Sequence, residues 1–236
     1  MKFQLVDVLV RMAHKYDVPD LKRDALDRIK KLYTDDFYSF CDPHLSGLLS
    51  YRWQDAFQVV RLAHLTGTKS LLPVALYLCC ASPPFFSTRG MIELAAGGQE
   101  QAEVSLSQED VFRCVRARPF LVRASTRVLA ATFEGGLSAQ CTESQSCKSS
   151  YKRVLRTMLE IQSDTILWDA NMGCLSIFPG NLLDEFFSDS VFCNGCEALF
   201  NRNNMEARKS VWRELPHYLE LQIEEWGRGL EAEGGS

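Results

Sequence analysis

The 236-residue sequence lacks any apolar run of the length that a membrane-spanning helix requires. No cleavable leader is expected, because MKFQLVDVLVRMAHKYD has one early lysine and a helical apolar pattern but no small-residue cleavage site. No N-x-[ST] glycosylation acceptor occurs in it. These absences predict an intracellular protein, cytoplasmic and/or nuclear, with no membrane partner. In a reducing compartment its nine cysteines are expected to be thiols or metal ligands before disulfides.

A dominant charge of either sign is absent as well. The sequence has 26 lysines and arginines against 30 aspartates and glutamates, which gives a net charge of −4 with neutral histidines. Nothing in this balance indicates a basic surface that would attract a phosphate backbone. No nucleic-acid partner is therefore predicted.

Four common catalytic motifs are missing, namely G-x-S-x-G, H-E-x-x-H, G-x-x-x-x-G-K-[ST] and G-x-G-x-x-G. Their absence favours a protein that is not an enzyme. The alternative is a metal- or thiol-dependent enzyme of unknown substrate. Cysteines and histidines both occur, and a nucleophile needs a base that is close in space, which a sequence alone does not show.

The sequence does contain one helical pattern that occurs twice. RMAHKYDVPDLKRDAL at 11–26 recurs as RLAHLTGTKSLLPVAL at 61–76, fifty positions later. The identical pairs are Arg11/Arg61, Ala13/Ala63, His14/His64, Leu21/Leu71, Ala25/Ala75 and Leu26/Leu76. Apolar residues at three- and four-residue intervals predict a helix, a turn and a helix over 3–32 and again over 55–80. Because one hairpin cannot bury its apolar stripe alone, the two copies are expected to share a core.

Three more helices are predicted further along the chain. The first opens at a serine N-cap, Ser107, and reaches about Phe133 with an interruption near Pro119. The other two are expected over 151–162 and 204–215. Pro216 is expected to close the last one, and the terminal EAEGGS is expected to be disordered.

Few segments alternate with a period of two, so strands are not indicated. The predicted fold class is all-α: a helical bundle built from related helix–turn–helix hairpins, with a cysteine-clipped C-terminal segment.

Two cysteine pairs form the strongest candidate site. One pair flanks TESQS and the other forms Cys-Asn-Gly-Cys, whose glycine allows the tight turn that aims two sulfurs at one ion. A structural zinc site uses four thiolates in a tetrahedron. We therefore predict that one structural Zn ion is bound by Cys141, Cys147, Cys193 and Cys196. Two alternatives stay open: thiols without a metal, and disulfides, which the predicted compartment disfavours.

The remaining cysteines and the histidines have structural explanations. Cysteine is often buried, and core or incidental positions are expected for Cys41, Cys79, Cys80, Cys114 and Cys174. His14 and His64 share one repeat position, where a hydrogen bond to a neighbouring hairpin or packing at a helix end is expected before a shared proton or metal. His44 and His217 have no obvious partner in the sequence.

The repeated pattern resembles a known family. AHKYDVPDLKRDAL is similar to the last two helices of a BTB/POZ domain, and AFQVVRLAHLTGTKSLLPVALYLCC is similar to the BACK-like helical extension that follows many such domains. Together with LSQEDVFRCVRAR, the paired cysteines and WRELPHYLEL, residues 5–222 resemble the C-terminal part of BTB proteins of mushroom-forming fungi. The strand-rich BTB core is expected ahead of residue 1 and is missing from this sequence, which resembles a BTB protein shortened at its N-terminus.

The resemblance implies a domain order and a function. The domains implied are terminal helices of a BTB-like domain over 1–35, a BACK-like extension over 36–134, a paired-cysteine helical region over 135–222 and a disordered tail over 223–236. The function implied is a non-catalytic protein–protein interaction or adaptor module. Its partners would be other proteins, with a cullin-type ubiquitin-ligase scaffold as one candidate class. The resemblance supports paired cysteines without assigning them a metal.

Overall fold

A computed structural model of the chain describes residues 3–41, 55–81, 106–164, 174–175 and 192–227, and the side chains of all of these except 157–164. The described residues contain helices and no strand, so the all-α prediction is confirmed. The helices are α1 Phe3–Lys15, α2 Pro19–Lys30, α3 Phe37–Cys41, α4 Asp55–Thr66, α5 Leu72–Cys80, α6 Gln108–Thr132, α7 Ser144–Asp164 and α8 Asn194–Tyr218. His44 and the terminal EAEGGS lie outside the described residues.

The two hairpins, α1–α2 and α4–α5, end their first helices with the same turn. Asp17 has a φ of 52° and Gly67, fifty positions later, has a φ of 70°. The hydrogen bonds that close the turn also match: Val18 N to Ala13 O and Thr68 N to Ala63 O at 2.9 Å, and Asp17 N to His14 O and Gly67 N to His64 O at 3.4 Å. This pair of bonds is the Schellman motif, in which a left-handed residue satisfies the last carbonyls of a helix.

Most of the repeated residues lie in the core. The alanine pairs at 13/63 and 25/75 and the leucine pair at 26/76 are all buried. The repeat is incomplete at Leu21, which is exposed although its counterpart Leu71 is buried. Helices α1 and α2, α4 and α5, and α1 and α4 pack against one another. The expectation that the two hairpins share a core is therefore met along α1 and α4.

The second hairpin differs from the first in how its second helix begins. A 3-10 turn over Lys69–Leu71 precedes α5, and Pro73 falls in the first turn of α5, where its missing N–H has no helical partner to lose. Eight of the nine residues of α5 are buried. This helix is apolar on nearly every side because the core surrounds it.

A serine N-cap starts α6, and one repeat histidine lies close to it. Ser107 accepts the Asp110 backbone N–H at 3.1 Å, and its hydroxyl donates to the Asp110 carboxylate at 2.6 Å. His64 Nε2 lies 2.9 Å from the same carboxylate, and Arg113 donates to it at 3.0 Å. Asp110 is only 1% exposed, so these partners satisfy its buried charge. The serine bonds to the carboxylate and not to the histidine, which is not the arrangement of a nucleophile and its base.

The chain divides into two compact units. Residues 1–118 and 213–236 form one, here called the terminal unit, and residues 119–212 form the other, here called the cysteine unit. Helices α6 and α8 contribute residues to both units. The division at Pro119 falls where an interruption was predicted, but α6 is helical through this proline. The predicted domain limits at 35, 134 and 222 stay predictions.

Two helices begin earlier than the sequence pattern indicates. α7 begins at Ser144, seven residues before the predicted 151, and α8 begins at Asn194, ten residues before the predicted 204. Both early turns are polar in sequence, which is why periodicity missed them. Each carries a buried cysteine, Cys147 or Cys196, and burial of that side chain outweighs weak local helix propensity.

Pro216 does not close the last helix, contrary to the prediction. α8 runs past it to Tyr218. The proline removes one backbone donor, but its own carbonyl accepts the Leu221 N–H at 2.9 Å. Leu215, Tyr218 and Leu219 are buried, so packing on both sides of the proline maintains the helix.

Among the helices of the described residues, none is both long and apolar enough to cross a bilayer.

Candidate metal centre

Four cysteines from three separate segments converge in the cysteine unit. Cys141 lies in the connection between α6 and α7, and Cys147 lies in the first turn of α7. Cys193 immediately precedes α8, and Cys196 lies in its first turn. All four residues of the predicted zinc site are therefore brought together. The polar stretch TESQS between Cys141 and Cys147 is helical over its last three residues.

The sulfur separations suit one small ion. The four Sγ atoms all lie within 4.8 Å of one another, and Cys141 Sγ is 3.8 Å from Cys193 Sγ. A zinc ion with four sulfurs at about 2.3 Å in a regular tetrahedron places those sulfurs about 3.8 Å apart. A cluster with several irons would hold its cysteines on different metal atoms and so spread them further. The separations are compatible with a single metal ion bound by all four sulfurs.

A glycine allows the two cysteine pairs to approach so closely. A Cβ built on Gly195 would lie 2.9 Å from the backbone oxygen of Gln140, the residue before Cys141. The approach also forms a hydrogen bond, in which the Cys193 backbone N–H donates to Cys147 Sγ at 3.3 Å. Gly195 is therefore needed for contact with the other pair, whereas its φ is not positive and the turn itself does not require a glycine.

Backbone groups and helix ends favour negative charge at the cluster. Hydrogen bonds from the backbone of Cys196 and of Thr142 lower the pKa of Cys193 to about 5, so this sulfur is a thiolate at neutral pH. Cys193, Cys147 and Cys196 lie at the N-terminal ends of α7 and α8, where the helix dipole stabilises an anion.

Burial acts in the opposite direction on the pKa values of Cys147 and Cys196. It raises the pKa of Cys147 and raises that of Cys196 to about 12. Both side chains are almost inaccessible, at 1% and 0% exposure. Without a cation, the Cys193 thiolate would lie beside two thiols that burial keeps neutral, and a divalent ion would favour the thiolate form of its ligands.

The rest of the cysteine unit supports this arrangement with an aromatic core. Phe200 packs on Phe133 and Phe192, with ring centroids 5.1 Å and 4.8 Å apart, and Tyr151 donates to the Phe133 carbonyl at 3.2 Å. The buried residues of the cluster are Leu129, Phe133, Cys147, Val154, Phe192, Cys193, Cys196 and Phe200. Cys147, Cys193 and Cys196 are thus part of one hydrophobic core, which fixes the segments that carry them.

The other cysteines belong to different surroundings. Cys79, Cys80, Cys114 and Cys174 are buried and Cys41 is partly exposed, which fits their predicted core or incidental role. Burial raises the pKa of Cys79 and of Cys114, so both remain neutral thiols. In the part of the chain that the structure describes, the four converging cysteines are the one group of three or more potential ligands. All nine cysteines lie among the described residues, and no disulfide joins any of them there.

Sequence reasoning found the four cysteines but missed what positions them. The role of Gly195 toward Gln140 depends on contact between segments far apart in sequence. Asn203 and Asn204 were also missed, although they connect α8 to the end of α6: Asn204 donates to Thr132 Oγ1 at 3.1 Å, and Asn203 donates to the Glu134 carbonyl at 3.3 Å. The adjacent asparagines in a helical stretch were the available signal.

The fold and the cluster together define the class: an all-α protein with a candidate tetrathiolate metal centre. No protein-family model, no curated protein and no solved structure was found to match the chain.

Proposed function

We propose that the chain is a non-catalytic protein-interaction module in which one structural zinc ion, bound by Cys141, Cys147, Cys193 and Cys196, holds the cysteine unit together. The convergence of their four sulfurs within 4.8 Å supports the zinc site most directly. Soft thiolates in tetrahedral geometry select zinc or iron, and zinc is the ion of redox-inactive structural sites.

The donor set favours a structural role over a catalytic one. Four cysteine ligands close the zinc coordination sphere, whereas catalytic zinc keeps a position for water or substrate. The ion would also join segments that are distant in the chain, since Cys147 and Cys193 are 46 residues apart. In small zinc peptides, metal binding supplies about 10–16 kcal/mol of apparent free energy at neutral pH, enough to offset closure of such a segment.

An exposed apolar stripe on α1 supports an interaction role. Leu5, Val8 and Met12 are 54%, 53% and 47% exposed, and their spacing of three and four residues places them on one face of the helix. Contiguous exposed apolar surface on a folded protein often marks a place where other proteins bind. The resemblance to BTB-type adaptors points to the same class of function.

Elemental analysis of the purified chain tests the metal. We expect about one zinc per chain and little iron, and we expect Cys193→Ser to lose the zinc because three thiolates hold it less tightly. Cys41→Ser is the matched control, since Cys41 is a partly exposed thiol outside the cluster, and it should keep the zinc. A chain without zinc, or an equal loss in both variants, would contradict the site.

Affinity capture tests the interaction role. Proteins bound by the wild-type chain, including a cullin-type scaffold offered in purified form, are compared with those bound by a Leu5→Ser, Val8→Ser, Met12→Ser variant. Loss of a specific partner with unchanged folding supports the module. Turnover of a substrate that disappears in Cys193→Ser but survives in Cys41→Ser would instead support the thiol- or metal-dependent enzyme.

A further inference from the structure

The four sulfurs of the cluster are not equally protected from solvent. Cys147 and Cys196 are 1% and 0% exposed, and Cys193, although it belongs to the same buried core, is more accessible than either. Cys193 is 9% exposed and Cys141 is exposed further. The cluster therefore has an inner pair, Cys147 and Cys196, and an outer pair, Cys141 and Cys193.

The two pairs also differ in the backbone that carries them. The inner cysteines lie inside the first turns of α7 and α8, where helical hydrogen bonds fix their Cα atoms: the Cys147 N–H donates to the Glu143 carbonyl and the Cys196 N–H to the Cys193 carbonyl. The outer cysteines lie just outside these helices. Their Sγ atoms are 3.8 Å apart, whereas a disulfide has a bond of about 2.05 Å. Local adjustment of non-helical backbone can bring the outer pair to bonding distance without unwinding a helix.

We propose that the outer pair is a redox-sensitive edge of the zinc site: a hydroperoxide oxidises Cys141 and Cys193 to a disulfide, and the zinc ion is released. The proposal rests on the zinc site proposed above. It concerns regulation of that site by an oxidant of the hydroperoxide class, with hydrogen peroxide as the simplest member.

The reaction balances in two steps. The Cys141 thiolate attacks one oxygen of the peroxide, the O–O bond breaks, and the leaving hydroxide takes a proton to become water, so that Cys141 becomes a sulfenic acid. The Cys193 thiolate then attacks that sulfur and displaces a second hydroxide, which is also protonated to water. Two thiolates, one peroxide and two protons give one disulfide and two waters. The two electrons come from the two sulfurs, and zinc itself is not oxidised.

Loss of zinc follows from the ligand count. Disulfide sulfurs are poor ligands compared with thiolates, so only Cys147 and Cys196 remain to hold the ion. The inner pair is buried and stays reduced, because oxidation follows thiolate character and exposure. A reductant that cleaves the outer disulfide would restore the site.

The test uses the full chain, analysed for zinc before any oxidant is added. Hydrogen peroxide is titrated while released zinc is read with a chromogenic chelator and disulfides are mapped by mass spectrometry. We expect one zinc released per peroxide consumed, with a Cys141–Cys193 linkage, and we expect a thiol reductant with added zinc to reverse both. Cys41→Ser should behave like the wild-type chain, which excludes the other partly exposed thiol as the cause.

The outcomes separate this inference from the zinc site itself. A chain that contains no zinc before oxidation overturns the zinc site and this inference with it. A chain that contains zinc and keeps it while peroxide is consumed overturns only the proposed oxidation of the outer pair. Release accompanied by a Cys147–Cys196 linkage, or by no disulfide at all, overturns it as well.

Discussion

Gly195 decides at the scale of one residue whether the two cysteine pairs can meet. An alanine Cβ at this position would lie 2.9 Å from the Gln140 backbone oxygen, and a backbone atom cannot move away as easily as a flexible side chain. We predict that Gly195→Ala destabilises the cysteine unit by about 1–3 kcal/mol, the usual range for overpacking. Zinc affinity should fall in parallel. Thermal unfolding and competition with a calibrated chelator measure the two effects.

The sign of this effect makes the prediction specific. In an ordinary helical position, glycine to alanine stabilises by about 0.5–1 kcal/mol, because alanine has less backbone freedom to lose. Asn194→Ala is the matched control, since Asn194 is the exposed neighbour at the start of α8. A Gly195→Ala chain as stable as the wild type would show that the close approach does not hold the pairs together.

In the metal-free chain, the Cys193 thiol should lose its proton at a much lower pH than an ordinary thiol does. Hydrogen bonding by the backbone of Cys196 and of Thr142 lowers its pKa from 9.0 to about 5. We predict a thiolate absorbance in the ultraviolet that is lost with a midpoint near pH 5. The midpoint should be absent in Cys193→Ser and present in Cys41→Ser. A first thiolate that forms only near pH 9.0 would contradict the arrangement around Cys193.

The same shift determines how the stability of the metal-free chain depends on pH. Because the folded pKa of Cys193 is depressed, its contribution is complete above the unfolded value of 9.0 and is lost as the pH falls through about 5. Cys196 acts with the opposite sign: its contribution is complete below 9.0 and is lost as the pH rises toward about 12. The two contributions together favour intermediate pH.

The matching turns of the two hairpins allow a test of whether these helix–turn–helix elements are equivalent. Asp17 and Gly67 both adopt a left-handed conformation, with φ of 52° and 70°. That conformation costs an L-residue about 1–2 kcal/mol and costs glycine little, although aspartate tolerates it better than most. We predict that Asp17→Gly stabilises the chain and that Gly67→Asp destabilises it, each by about 1 kcal/mol.

Chemical unfolding of the two variants and of the double exchange measures these changes. No atom lies within 4 Å of a Cβ built on Gly67, so the aspartate fits and only the backbone conformation opposes it. The double variant should therefore lie close to the wild type. Effects of the same sign in both single variants would mean that the turns are not equivalent.

In the whole molecule, metal removal is expected to destabilise the cysteine unit more than the terminal unit. The four cysteines all belong to the cysteine unit, residues 119–212, and the paired hairpins belong to the terminal unit. We predict that a strong chelator lowers hydrogen-exchange protection in α7 and in the first turns of α8. Protection in α1, α2, α4 and α5 should change little.

The comparison has an internal control within each sample, since both units are measured in the same chain. Added zinc should restore protection in α7, and magnesium should not, because hard cations prefer oxygen ligands. Equal loss of protection in both hairpins and in α7 would contradict a local structural role for the metal.

Much of the hairpin region followed from sequence pattern. Alanines at 13 and 63 and leucines at 26 and 76 recur at positions that helical periodicity assigns to a buried face, and all four are buried. Gly67 marks the turn in the second copy, because glycine readily adopts a positive φ. The matching turn at Asp17 becomes evident only by comparison with the second copy.

The histidines show where pattern stops being informative. His14 and His64 occupy the same repeat position, yet His64 lies 2.9 Å from the buried carboxylate of Asp110, a residue 46 positions further along the chain. His64 lies in the last turn of α4, one of the two placements expected from the sequence, and its partner lies at the start of α6 rather than in the neighbouring hairpin.

The sequence by itself determined the helical class, the repeated turn and the identity of the four cysteines, because these depend on local spacing and on side-chain chemistry. Only the tertiary structure decided that Ser144–Cys147 and Asn194–Cys196 are helical, that Gly195 contacts Gln140, and that four sulfurs separated by up to 55 positions (141 to 196) converge within 4.8 Å. The physical reason is that burial of Cys147 and Cys196 in a shared aromatic core depends on residues from three segments. Such non-local burial can override the polar character of a local stretch.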